Sequence, residues 1–193
     1  MTKATGPTFI VPFRRKRKGL TNYAKRLALV KSHLPRMVVR KTGTGMLVQF
    51  VNFEPQGDKV VASVHSTLLK KFGWVPHRNA PTAYLAGLAC ARAAGKKGVK
   101  DFVLDIGMYT PSKGSIVFAA LKGAIDAGLK TAYQADMVAE KRINGSEIAT
   151  YAKMLKQSGK YDKMFSAYVK AKVDAERLPE IFEAAKKGVL SSN

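Results

Sequence analysis

The chain has 193 residues, and its 34 lysines and arginines against 13 aspartates and glutamates give a formal charge of +21. A protein this cationic repels itself unless a polyanion neutralises it, which points to nucleic acid or an anionic surface as partner. The single cysteine, Cys90, excludes an internal disulfide and a Cys-based zinc cluster, and no apolar run approaches the roughly 20 residues that cross a bilayer.

The charge is uneven. No Asp or Glu precedes Glu54; residues 1–100 carry 20 basic and 2 acidic side chains, residues 101–193 carry 14 and 11. The polyanion is therefore expected against the N-terminal half. Hydrophobic residues at 46% suffice for one folded domain with an extension. The N-terminus lacks the signal-peptide order of charge, apolar stretch and small-residue cleavage site, so a soluble cytoplasmic protein is expected.

Residues 1–19 mix Gly6, Pro7, Pro12 and Gly19 with basic and apolar side chains in no sustained period, which predicts an arm that orders on its partner. Within it, Phe13 is followed by five consecutive cations: Arg14, Arg15, Lys16, Arg17 and Lys18. Tyr23, Leu27, Val30 and Leu34 then recur at helical spacing, with Thr21 the expected N-cap and Pro35 the stop. The period changes next. RMVVRKT and MLVQFVNF, separated by Gly-Thr-Gly, predict a hairpin, and the turn EPQGD leads to a third strand, KVVASVHS.

After Trp74, APTAYLAGLACARAAG predicts a helix of small residues with Pro81 near its start, able to lie close on a sheet with Cys90 inside. KDFVLDIG predicts a short buried strand, SKGSIVFAALKGAIDAG a second helix, and LKTAY a brief edge strand. Beyond Gln134 the pattern is helical: one helix marked by Ile148, Tyr151, Ala152 and Leu155, another by Tyr161, Phe165, Tyr168 and Val169, a third by Ile181, Phe182 and Ala185. The expected organisation is a basic arm (1–19), an α/β core with helices packed on a mixed sheet (20–133) and a helical extension (134–193) that wraps the sheet or docks elsewhere.

This element order suits a ribonuclease H-type nuclease, which needs carboxylates converging on two metal ions. Asp58, Asp101, Asp105 and Asp126 are the candidates, but RMVVRKT carries no acid where that chemistry places its central ligand. A nuclease is thus the second reading, and Asp105 is expected to be a cap or a turn partner for residues 106–111. His33, His65 and His77 lack metal-ligand spacing. The segment TPSKGS, residues 110–115, is either a phosphate-attracting helix start to which Lys113 adds charge, or an ordinary start capped by Ser112.

Three features favour nucleic acid over a solvated charge run. Phe9, Phe13 and Tyr23 interleave with the cations and can stack on unpaired bases. The basic tract continues into a helix and then a hairpin bearing Arg36, Arg40 and Lys41, all free of acids. Arginine forks also suit phosphate. RNA is preferred to DNA because no helix-turn-helix, zinc or zipper signature is present, and the absence of a lipidation motif argues against a membrane.

Five ordered blocks carry a more specific signal: VPFRRKRKGLTNYAKRLALVKSHLPRMVVRKT, VASVHSTLLKKFGW, APTAYLAGLACARAAG, VLDIGMYTPSKGSIVFAALKGAIDAGL and GSEIATYAKML. Together they resemble the ribosomal large-subunit protein eighteen family in its archaeal form, related to eukaryotic large-subunit protein five. The resemblance implies a ribonuclease H-like α/β core without nuclease activity. It implies binding to 5S rRNA in the central protuberance, with 23S-type rRNA and ribosomal protein five as neighbours, and no cofactor, metal, membrane or small-molecule substrate. By position it implies RNA contacts from Phe13, Arg14, Arg15, Lys16, Arg17, Lys18, Asn22, Tyr23, Lys25 and Arg26, from Arg36, Arg40 and Lys41, and from a loop holding Trp74, His77 and Arg78. The chain departs from the family pattern at Lys18, where an acid is usual, and at Asn79, Ala80 and Pro81, where Gly-Asn-Thr-Pro is usual.

Overall fold

The computed structural model describes residues 6–138 and 140–192. The first five residues of the expected arm lie outside the described residues. The arm is not irregular throughout: Arg14–Arg17 form one helical turn, α1. Gly19 closes it in the left-handed region (φ 64°), where a residue without a Cβ pays no steric penalty. The Leu20 N–H bonds the Arg15 carbonyl at 2.9 Å and the Gly19 N–H that of Lys16 at 3.0 Å, the pair of bonds of a glycine-terminated helix end.

Helix α2, Tyr23–Val30, follows. Its cap is Asn22, one residue beyond the expected Thr21: the Asn22 Oδ1 accepts from the Lys25 N–H at 3.1 Å. The Thr21 hydroxyl instead accepts from Arg15 Nε at 2.8 Å, tying α1 to the entrance of α2.

The expected meander is present as β1 (Arg36–Lys41), β2 (Met46–Asn52) and β3 (Lys59–His65), all antiparallel, with a bulge between Phe50 and Val51. A 3-10 segment, Ser66–Phe72, leads to α3 (Ala80–Gly95), then β4 (Val103–Asp105) adds to β1 in parallel, giving the order β3-β2-β1-β4. Helix α4 (Ile116–Asp126) returns. Its N-cap position is Ser115, which makes no side-chain cap bond, so the alternative of a cap at Ser112 does not hold; the preceding Gly114 N–H bonds the Met137 carbonyl at 2.9 Å. LKTAY contributes a single parallel bridge, Asp101 to Lys130, beside β4.

Strand alternation sorts the sheet faces. Met37, Val39, Met46, Val48, Phe50, Ala62 and Val64 are buried beneath α3, which packs across β2 and β3. Cys90 on α3 donates its thiol to the Val48 carbonyl at 3.2 Å, and burial pushes its pKa up to about 12. Helices α3 and α4 pack tightly where small residues meet: a Cβ on Gly87 would lie 2.1 Å from the Ala120 carbonyl oxygen, one on Gly123 2.2 Å from that of Tyr84. The small-residue run thus serves helix-to-helix approach as well as helix-to-sheet packing.

The C-terminal residues form α5 (Glu140–Ile143), α6 (Ser146–Gln157), α7 (Tyr161–Met164), α8 (Ser166–Lys170) and α9 (Leu178–Ser191). The single helix expected around Tyr161 and Tyr168 is broken at Phe165 (φ −103°, ψ 27°), and both tyrosine rings close on the Phe165 ring, at 5.2 and 5.7 Å. Helix α9 lies against α3 and the 3-10 segment. Phe182 meets Trp74 edge-on at 6.0 Å and Tyr84 at 5.5 Å, and Arg92 donates to the Val189 carbonyl. The extension therefore shares its core with α3, on the side of the molecule closed by apolar packing.

Candidate nucleic-acid interface

The opposite sheet face presents Arg36, Val38, Arg40, Gln49 and Val51. Helix α2 leans over it, enclosing a cleft of about 670 Å³ whose rim carries Arg15, Lys25 and Arg26. Helix α2 has no fully buried residue, and Leu27 is 57% exposed. Burial alone therefore does not hold it down.

What ties it to the sheet is an alternating ladder of charge. Arg26 Nη2 reaches Asp58 Oδ1 at 2.9 Å, and Asp58 Oδ2 takes Arg36 Nη2 at 2.5 Å. Arg36 Nη1 crosses to Asp105 Oδ2 at 3.0 Å, and Asp105 Oδ1 takes Arg40 Nη2 at 2.9 Å. The Gly107 N–H adds a bond to Asp105 Oδ1 at 2.8 Å, so the expected turn role of Asp105 is present alongside a second one. Three guanidinium groups and two carboxylates leave the ladder one positive charge in excess. Both terminal nitrogens of Arg36 are bonded while its buried Nε has no partner, and a buried charge network of this kind sets geometry more than it adds stability.

The sequence-derived candidates fall into distinct places. Arg14, Arg15, Lys16, Arg17 and Lys18 are all exposed on and around α1, as is Lys25 on α2. Phe13 is 70% exposed, yet its ring also packs on Tyr23 at 5.2 Å, so the two candidate stacking rings form one unit. Asn22 uses its side chain as the α2 cap. Arg40 gives Nη1 to the Val39 and Asp105 carbonyls. Lys41 lies 4.2 Å over the Tyr109 ring, while the Tyr109 hydroxyl accepts from the Lys41 N–H at 3.0 Å. A second hollow, about 290 Å³, shares Ile106 and Pro111 with the cleft and is lined by Lys41, Tyr109 and Ser112.

Two candidates point inward. Arg36, 3% exposed, has its guanidinium engaged by carboxylates, and Trp74, 1% exposed, donates Nε1–H to the Thr82 hydroxyl at 2.9 Å inside the core. The loop carrying Trp74 therefore presents Arg78, which is exposed, and not the indole. His77 is half-buried against Tyr168 at 4.8 Å, and desolvation lowers its pKa. Asn79 caps α3, its side-chain oxygen accepting from the Thr82 N–H at 3.1 Å. Lys113 stands exposed on the loop before α4, 3.7 Å from Asp136.

Three of the four nuclease candidates are taken up elsewhere, Asp58 and Asp105 by the arginine ladder and Asp126 by the Tyr84 hydroxyl at 2.7 Å and by Lys122 at 3.0 Å, while Asp101 stands exposed at the bridge to Lys130. Among the described residues, no three His, Cys, Asp or Glu side chains group as metal ligands, and no helix is long and apolar enough to cross a membrane. The ladder was missed from sequence although a signal existed. Period-2 alternation puts Arg36 and Arg40 on one face of β1, and a short strand ending in Asp105 is a natural partner for them.

Comparison with known proteins gives this surface a family. Residues 8–101 match the family described as ribosomal large subunit proteins 60S L5, and 50S L18. The large ribosomal subunit protein uL18 of Thermofilum pendens is 45% identical over 190 residues, 96% of this chain and 97% of that protein. The match spans the cationic arm, the cleft and the helical extension alike, and the chain belongs to this family of large-subunit ribosomal proteins.

Proposed function

We propose that this chain is a structural, non-enzymatic constituent of the large ribosomal subunit, working in the cytoplasm within the ribosome. It binds 5S rRNA and fixes it to the 23S-type rRNA in the central protuberance, beside ribosomal protein five. One coincidence carries this reading: the family match at residues 8–101 falls on the half of the chain where 20 basic side chains stand against 2 acidic ones. The α/β core is a ribonuclease H-like platform in which β1 bears arginines in place of a catalytic acid. The arm (1–19), core (20–133) and helical extension (134–193) are its working parts.

The contacts we assign to RNA run from Phe13 and the five cations after it, through Lys25 and Arg26 with Tyr23 and its cap Asn22, to Arg40, Lys41, Arg78 and Lys113. His77, Arg36 and Trp74 support these contacts from within. Each phosphate neutralised releases counterions, so affinity falls steeply with salt. Selectivity comes from RNA shape and unpaired loops, because the deep groove of an A-form duplex hides its base edges. Titration against 5S rRNA and an unrelated structured RNA of equal length, at two salt concentrations, tests the proposal. Preference for 5S rRNA that survives added salt is expected; equal binding to both, lost with salt, would refute it.

A further inference from the structure

The ladder raises a problem that net charge cannot answer. Asp58 and Asp105 put two carboxylates into the face turned toward a polyanion, where each repels phosphate. We propose, on the basis of the RNA-binding reading above, that Asp58 is a positioning residue for RNA. By gripping Nη2 of Arg26 it fixes the guanidinium at the cleft rim and the tilt of α2 over the sheet. The geometry supports this in three ways. Helix α2 has no fully buried residue to hold it, so its placement depends on polar ties. Asp58 bonds Arg26 and Arg36 with separate oxygens, joining a half-exposed arginine on α2 to a buried one on β1. Arg36 is itself anchored to Asp105, so the tie ends in the sheet and not in another mobile group.

A guanidinium held by a carboxylate keeps its remaining N–H groups in a fixed plane, and a planar fork loses less entropy on meeting a phosphate than a free one. The carboxylate therefore aids anion binding through geometry while opposing it through charge. At a quarter exposure the opposing Coulomb effect is only partly screened, so charge and geometry compete at Asp58 and the sign of a substitution there tells which dominates.

The two effects predict opposite signs for Asp58→Asn, measured by filter binding of the full chain to 5S rRNA across a salt series. Positioning predicts about five- to tenfold weaker binding and a log-log salt slope smaller by about one, as one phosphate contact is lost. Within an Arg26→Ala background the same substitution should change affinity by under about twofold, because its route of action is gone. Equal or tighter binding by Asp58→Asn overturns the proposal, as does an undiminished loss in the Arg26→Ala background, which would mark a general structural effect. Circular dichroism and a cooperative melt confirm folding. If Asp58→Asn fails to fold, Arg26→Lys decides: it keeps the charge and removes the fork, so a loss of about threefold or more supports positioning and unchanged affinity overturns it. Equal binding of 5S and unrelated RNA by the unaltered chain would instead remove the 5S assignment, and the sign of the Asp58→Asn effect would remain readable on either RNA.

Discussion

The face of the sheet under α2 and the face under α3 are held together by different physics. Under α3, Phe50, Trp74, Tyr84, Leu85 and Phe182 exclude water, and the extension completes that core through Leu178, Ala185 and Val189 of α9. Under α2 the contacts are ion pairs at 2.5–3.0 Å, and Phe13, Leu20 and Leu27 stay at the surface. Burial of apolar area is self-sufficient, whereas an alternating charge ladder beneath an exposed apolar helix gains little by itself. One face is finished within the chain. The other leaves apolar and cationic side chains at the surface, and it lies in the half of the sequence that holds the excess charge.

If that division is right, substitutions should separate cleanly into those that act on binding and those that act on folding. The largest effect is expected from replacing Arg14, Arg15, Lys16, Arg17 and Lys18 together by glutamine. All are exposed, so the melting temperature should barely move, while the log-log salt slope of 5S rRNA binding should shrink by about 3 to 4 and affinity at moderate salt fall by roughly a thousandfold. A matching loss of stability would break the comparison. On the other face, Phe182→Ala removes a ring wedged between Trp74 and Tyr84 and should cost about 3–5 kcal/mol in urea unfolding, with the salt slope of the folded fraction unchanged. Phe13→Ala comes next. If its ring stacks on a base, binding weakens by about 1–3 kcal/mol at constant salt with no change in slope; if it only braces Tyr23, binding stays as it was.

How far the sequence revealed this division follows from the range of each signal. Local periodicity located the meander, α3, β4 and α4, since alternation and helical spacing are properties of neighbouring residues. The acid-free first 53 residues marked where the positive charge is concentrated because charge needs no fold to be counted. Caps slipped by one to three residues, Thr21 to Asn22 and Ser112 to Ser115, because several polar residues in a row compete and tertiary bonds choose among them. The inward turn of Trp74 and Arg36 was hidden for a different reason. Trp74 is enclosed by Phe182, over a hundred positions later, and Arg36 is neutralised by Asp105, 69 positions away. No local pattern reports Phe182, and for Arg36 the alternation of β1 and the acid ending β4 offer a matching pair of charges without the parallel strand pairing that brings them together.

The smallest effects test the division most directly, because the same chemistry occurs once on each side. Asn22 and Asn79 each cap a helix by accepting from the N–H three residues on, both at 3.1 Å. Replacing such a cap by alanine costs the helix about 1 kcal/mol. At Asn79 that cost falls on α3, which is embedded in the core, so it should appear in full as global destabilisation in urea, with RNA affinity untouched. At Asn22 it falls on α2, which has no fully buried residue and can fray without opening the core. Global stability should then hold, while RNA binding, which requires α2 formed, should weaken by about fivefold. Amide exchange would show the same asymmetry, with protection lost in residues 25–30 of Asn22→Ala and retained throughout β1 and β2. If Asn22→Ala instead lowers global stability as much as Asn79→Ala does, α2 belongs to the cooperative core, and the ladder under it contributes to folding as well as to placement.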